Sequence, residues 1–336
     1  MFGFIRSISY SVQVMIPVLC LILFGVALFF PGNMQGGDIL GNGLYYLPKD
    51  GWLYSKWLQM AHLPLWIQIA PSYLIALITA LLLVGNDMKN LLMSRRTYAM
   101  AFVFLFLLCS GGHFFIFHPA FIAGLLMVLS HRYLLNLYKH ESDFSIVFMI
   151  GFTWGAAILF YPPVILLTPA ILFGLLVMVA TGWRHWLVML LGLAIPAVLA
   201  GACWYLLGDL DYEVQTFLSW FKLRHMIIPP ILTKEPFIAA WFGLMLIWIV
   251  IASAKYRNPK IQSRQMFHTN FLQFLFTILG LALLDTVSVE FIWLLIIPLS
   301  YMMTFWALEV KKWWMRDLFF LSLLLSFAFF RFKGLA

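Results

Sequence analysis

Charge is scarce in this chain: 10% of its 336 residues are Asp, Glu, Lys or Arg, against about 25% in ordinary soluble domains. With 64% hydrophobic residues and a mean hydropathy of +0.96, that shortage excludes a water-soluble globular protein. Cysteine is nearly missing as well. Cys20, Cys109 and Cys203 all lie inside apolar runs, so there is neither a disulfide framework nor a zinc spacing. The chain has no P-loop, no Gly-x-Ser-x-Gly and no His-Glu-x-x-His. No Asp, Glu, Lys or Arg falls at the middle of a confident apolar run, where coupled transporters place them. Nor is there an inverted repeat with matched broken helices. A transporter therefore ranks third among the readings.

What the chain does have is apolar blocks separated by short polar punctuation. A membrane-spanning helix needs roughly 20 mostly apolar residues, and barrel strands show only weak alternation over about 10. The blocks here are apolar all round, so the sequence predicts an all-α, polytopic transmembrane bundle of 10–11 spans. It forms a single integral membrane domain over residues 1–336, with no room for a soluble one. The spans are Val12–Phe30, Leu65–Val84, Tyr98–Gly112, Phe114–His131, Phe144–Pro162, Val164–Ala180, Trp186–Leu207, Phe237–Ala254, Phe271–Leu284, Phe291–Val310 and Asp317–Phe330. Phe271–Leu284 is short and reads as a span, a re-entrant segment or half of a hairpin. The last segment is short too, which leaves the side of the C-terminus open. The first apolar run follows Arg6 without a small-x-small cleavage site, and reads as an uncleaved span.

Lysine and arginine set the orientation. With the N-terminus in the cytoplasm, Arg6, Lys89, Arg95, Arg96, Arg132, Lys139, Arg184, Lys255, Arg257, Lys260, Arg264, Lys311, Lys312 and Arg316 fall inside. Only Lys49, Lys56, Lys222, Arg224, Lys234, Arg331 and Lys333 fall outside. The formal charge of +8 is thus spread over juxtamembrane loops, and no nucleic-acid partner is expected. The acidic residues Asp38, Asp50, Asp209, Asp211, Glu213, Glu235, Asp285 and Glu290 face the other way. So do both long loops, 31–63 and 208–235. Each loop carries an amphipathic aromatic stretch suited to the interface plane. One has Leu53, Trp57 and Met60 at helical spacing; the other has Val214, Phe217, Leu218 and Phe221, with Trp220 alongside.

Candidate chemistry collects on that outer face. Asp38, in Gly-Gly-Asp-Ile-Leu-Gly-Asn-Gly, could serve as a general base for an acceptor hydroxyl, or be a solvated turn residue. Asp209, Asp211 and Glu213 alternate. In an extended loop they would face one side and could hold a divalent cation; if a helix starts at Asp211 they cap it and complement its dipole. Lys222, Arg224 and His225 suit a lipid-linked phosphate or an anionic headgroup. His113 and His118 lie five residues apart, about 140° around a helix, which disfavours a metal site and leaves them as interfacial hydrogen-bonding histidines, either within reach of a phosphate. Gly151, Gly155, Ala156 and Ala157 would suit close packing against another membrane helix.

The stretch Phe148-Met-Ile-Gly-Phe-Thr-Trp-Gly-Ala-Ala-Ile-Leu-Phe-Tyr-Pro-Pro, with Trp183-Arg-His-Trp and Gly192-Leu-Ala-Ile-Pro196 after it, resembles an uncharacterised family of polytopic inner-membrane proteins of Bacteroidota. Some members carry a carotene-oxygenase label that the histidines here do not support. The resemblance implies a bacterial inner-membrane location. More distantly, the layout is similar to the C-type fold of membrane glycosyltransferases, which have an acidic first external loop and interfacial helices. That likeness implies a polyprenyl-phosphate sugar donor and transfer at the outer face in envelope glycan assembly. It makes Asp38 the base, with Lys222, Arg224 and His118 binding the donor phosphate. The alternative is a non-catalytic scaffold or envelope-assembly subunit, whose partners are membrane lipids and another membrane protein.

Overall fold

The computed structural model describes residues 65–90, 98–110, 118–138, 143–178, 182–208, 210–222, 236–254, 261–284, 289–310 and 312–332, with Val18 and Ile22. The first span, the loop 31–63 and Asp38 otherwise lie outside the described residues. Every regular element among the described residues is helical: α1 (Leu65–Asn90), α2 (Ala99–Ser110), α3 (Pro119–Leu137), α4 (Phe144–Phe160), a 3₁₀ turn (Pro162–Leu167), α5 (Thr168–Met178), α6 (Trp183–Leu207), α7 (Leu210–Ser219), α8 (Pro236–Ala254), α9 (Ile261–Leu283), α10 (Val289–Glu309) and α11 (Trp313–Phe332). Five stretches, in α1, α3, α6, α9 and α10, are long and apolar enough to cross a bilayer; Ala99–Leu108, Phe144–Phe160 and Pro162–Met178 are apolar but shorter. The protein is an all-α, multi-pass membrane bundle.

Local chemistry sets the helix ends. Pro119 opens α3, where a missing N–H does no harm, and His118 caps it by accepting a hydrogen bond from the Ala120 N–H through Nδ1 at 3.1 Å. Asp143 caps α4 in the same way, through the Ser145 N–H at 2.9 Å. That helix stops at Tyr161 because Pro162 and Pro163 cannot donate to the ladder and push the preceding residue into extended backbone. The segment expected as one span from Val164 to Ala180 is therefore a 3₁₀ turn leading into a short α-helix. Gly208, at φ 80°, ends α6 in the left-handed conformation that glycine adopts without strain.

Helix α10 is the hub. The stretch Phe291–Leu308 is 94% buried, and α10 packs against α2, α3, α8 and α9. Phe121 and Phe104 hold Trp293 with ring centroids 4.2 and 5.5 Å away, and Trp306 meets Trp248 at 4.9 Å. Helix α6 is the opposite case, with 17% of its apolar window buried. Leu190, Leu191, Val198 and Leu199 are exposed along it, as suits a face meeting lipid chains.

One side of α6 is nevertheless tightly held. Its contact with α4 is the most extensive pairing in the bundle, and it is made by glycines. A Cβ on Gly151 would run into the Met189 carbonyl oxygen, one on Gly155 into the Leu193 carbonyl oxygen, and one on Gly192 into the Phe148 carbonyl oxygen. Lipid tails are as apolar as leucine, so such close backbone approach, rather than hydrophobic burial, drives helix pairing in a membrane. The small-residue stripe that the sequence offers to a partner helix is thus consumed within the chain.

Gly192→Val should lower stability by about 1–3 kcal/mol, the range for overpacking. Thermal unfolding in mild detergent would show it as a lower midpoint. Gly201→Ala, in the same helix with nothing within 4 Å of its added methyl, should leave the midpoint unchanged or raise it. Equal behaviour of the two variants would contradict this packing.

Candidate functional site

Because consecutive helices run in alternate directions, the bundle has two ends. One gathers the ends of α4 and α6 and the starts of α3, α8 and α10; α7 belongs to it. At the other end lie Lys89, Arg132, Arg184, Arg264 and Lys312. Side-chain amides tie this basic end together: Gln262 donates to the Leu135 carbonyl at 3.3 Å and Gln265 to the Val177 carbonyl at 2.7 Å, while Tyr301 donates to the Ser263 carbonyl at 3.4 Å.

At the α7 end, an aromatic column replaces polar chemistry. The rings of His118 and Trp220 each meet Tyr161 edge-on, both at 5.5 Å, and Phe291 lies 6.0 Å from Tyr161. Tyr161 and Trp220 are fully buried, so Trp220 pins the C-terminal end of α7 onto the bundle. Phe217 and Phe221 pack alongside, with rings 5.5 Å apart. Val214 and Leu218, of the same expected stripe, are exposed.

The sequence candidates distribute as follows. Asp38, Arg224 and Asp209 lie outside the described residues, as do His113 and His225. Lys222 is exposed just beyond α7. His118 is 2% exposed and is engaged as the cap of α3, beneath the aromatic column rather than at a surface. Asp211 and Glu213 both lie in the first turn of α7. Two positions apart on a helix is about 200°, so Asp211 is exposed while Glu213 is buried. The extended arrangement that could hold a divalent cation is replaced by the helix-start arrangement, in which both carboxylates favour the positive end of the helix dipole. No three of the described His, Cys, Asp and Glu residues converge in a way that could hold a metal.

A second polar region escaped sequence reading. Helix α9 spans 23 residues, not the fourteen apolar ones that suggested a re-entrant segment. Its uncharged polar side chains Ser263, Asn270, Gln273 and Thr277 are buried, while Arg264, His268, Ile261, Leu275, Leu279 and Leu283 are exposed. Thr269 and Thr277 bond back to the carbonyls four residues earlier, at 3.1 and 2.7 Å, which satisfies their hydroxyls within the helix. His131 of α3 and Asn86 of α1 line a cavity together with Asn270 of α9; both are buried, as are Asp87 and Asn90 in the last turn of α1. Asp87 is a carboxylate inside a helix that the sequence reading ended at Val84. The available signal was spacing: Ser263, Asn270 and Thr277 recur every seven residues, one face of a helix. Between α1, α2, α3, α9 and α10 this polar face borders a cavity of about 10 Å³.

The sequence model of a family of unknown function, DUF6427, matches residues 72–336. The chain belongs to that family. No curated protein matches it, and no solved structure does. The DUF6427 match takes in all the helices from α2 to α11 and most of α1, so both the α7 end and the polar face of α9 lie within the family's extent.

Removing the pin should free α7. Trp220→Ala, in the range of about 3–5 kcal/mol for large buried aromatics, should expose the segment around Leu210–Ser219 to limited proteolysis. Asp211→Ala should leave the cleavage pattern unchanged. An unchanged pattern for Trp220→Ala would mean that α7 is not held by its aromatic anchor.

Proposed function

We propose that this DUF6427 protein acts at the outer face of the bacterial inner membrane on a polyprenyl-phosphate-linked sugar, as a glycosyltransferase-like component of envelope glycan assembly. The observation that supports this best is α7: a short helix anchored by Trp220 on the end of the bundle away from the basic residues, with Lys222 exposed where the chain leaves it. An anchored interfacial helix followed by a cation suits a phosphate at headgroup depth, with the lipid tail lying along the spans. In this reading Lys222 and Arg224 hold the donor phosphate and Asp38 takes the acceptor proton. His118 serves the phosphate only through the aromatic column above it, as the group that fixes the start of α3. Asp211 and Glu213 set the polarity of the start of α7.

The second reading is a scaffold or envelope-assembly subunit. What favours it is the long exposed apolar face of α6, along which Leu190, Leu191, Val198 and Leu199 are uncovered.

Native mass spectrometry of protein extracted gently from its own membrane separates the two. The transferase reading expects a retained polyprenyl phosphate or polyprenyl-linked sugar, reduced at least tenfold in Lys222→Ala/Arg224→Ala, and envelope glycan lost in Asp38→Asn. Bulk phospholipid alone, with a stoichiometric protein partner, would replace it by the scaffold reading.

A further inference from the structure

The cavity beside α9 is unusual for a membrane interior because its wall is partly polar. Asn86, His131, Asn270 and Tyr301 line it, with Met100 and Met266 among the apolar neighbours. All four polar residues are at least nine-tenths buried. Asn86 has its Nδ2 committed to the Val128 carbonyl at 3.5 Å, and its Oδ1 reaches no partner among the described residues. Behind this wall, Gln273 approaches the His131 ring, yet neither of its amide atoms has a partner at hydrogen-bond geometry among the described residues. Hydrocarbon cannot supply the missing bonds, and an orphaned buried amide is costly.

Size and charge decide what would fill the space. A cavity needs about 10–15 Å³ to accept one water molecule, and that water needs two to four polar partners. The volume here, about 10 Å³, is at the edge of that range and too small for any larger solute. No carboxylate lines it, so a bare cation, which takes several oxygen ligands and usually anionic ones, is disfavoured. A neutral molecule that can both donate and accept fits.

We propose that this cavity is an internal hydration site: one water donates to Asn86 Oδ1 and bonds to a second member of the polar wall, linking α1 to one of α3, α9 and α10 near the basic end of the bundle. The water is then part of the fold, and it places a hydrogen-bonding molecule next to His131.

X-ray-generated hydroxyl radicals test this, because a bound water produces the radical in place and marks the side chains around it. In the full chain in lipid nanodiscs, Met100, Met266 and Tyr301 should be oxidised several-fold faster than Met302 and Met303, which are fully buried and do not line the cavity. Asn86→Leu removes the acceptor and fills the space, and should bring Met100 and Met266 down to the rate of Met302 and Met303. Equal rates in the unmodified protein, a comparison that needs no variant, would mean a dry void. Undiminished labelling in Asn86→Leu would mean that Asn86 holds no water.

Discussion

Hydrocarbon offers no partner to a polar group, so a polar group that enters the membrane needs the protein, or water held within it, as a partner, and much of the arrangement of this bundle follows from that constraint. Leucine and valine can face outward at no penalty, and along α6 they do. Glutamine, asparagine, serine and threonine cannot. On α9 they turn inward, and Gln262 and Gln265 reach carbonyls on α3 and α5. Threonines bond back along their own helices: Thr79 to Ile75, Thr153 to Met149 and Thr304 to Ser300, each at 2.7 Å. From Asn270 to Leu283 of α9, the buried side is therefore more polar than the exposed one.

Two kinds of contact then share the task of holding helices together. Around α10, large aromatics interlock, and Trp293 and Trp306 fill space between neighbours. Between α4 and α6, the contact works by subtraction, since Gly151, Gly155 and Gly192 let backbone meet backbone. The second kind lets α6 remain attached while showing most of its surface to lipid. It also explains why α7, which follows α6 directly, needs an anchor of its own: α6 offers it little, and Trp220 instead reaches Tyr161, next to His118 and Phe291.

The class of the protein was legible in composition alone, and so were most helix positions, because twenty apolar residues in a row admit one reading. Where sequence reading failed, the cause was a rule tuned to apolar runs. It trimmed α9 to fourteen residues because Gln262 to Asn270 look like a loop, and it ended α1 before Asn86 for the same reason. In a bundle this thick those polar residues are core residues. Uniformly apolar helices also hide their rank. Nothing in Phe291–Val310 distinguishes the central helix from the peripheral Trp186–Leu207, because both are apolar on every face. Among the candidate site residues, the acidic pair on α7 was legible as a helix start. The burial of His118 was not, since it depends on Tyr161 and Trp220, residues distant in sequence.

The account rests on α6 crossing the bilayer, which puts Arg184 and Lys222 on opposite sides. Single cysteines at these positions (Arg184→Cys or Lys222→Cys, with Cys20, Cys109 and Cys203 changed to serine) can be challenged in intact cells with a membrane-impermeant maleimide. The account predicts that the cysteine at 222 reacts at once and the one at 184 only after the membrane is opened. Reaction of both before opening, or of neither, would contradict it.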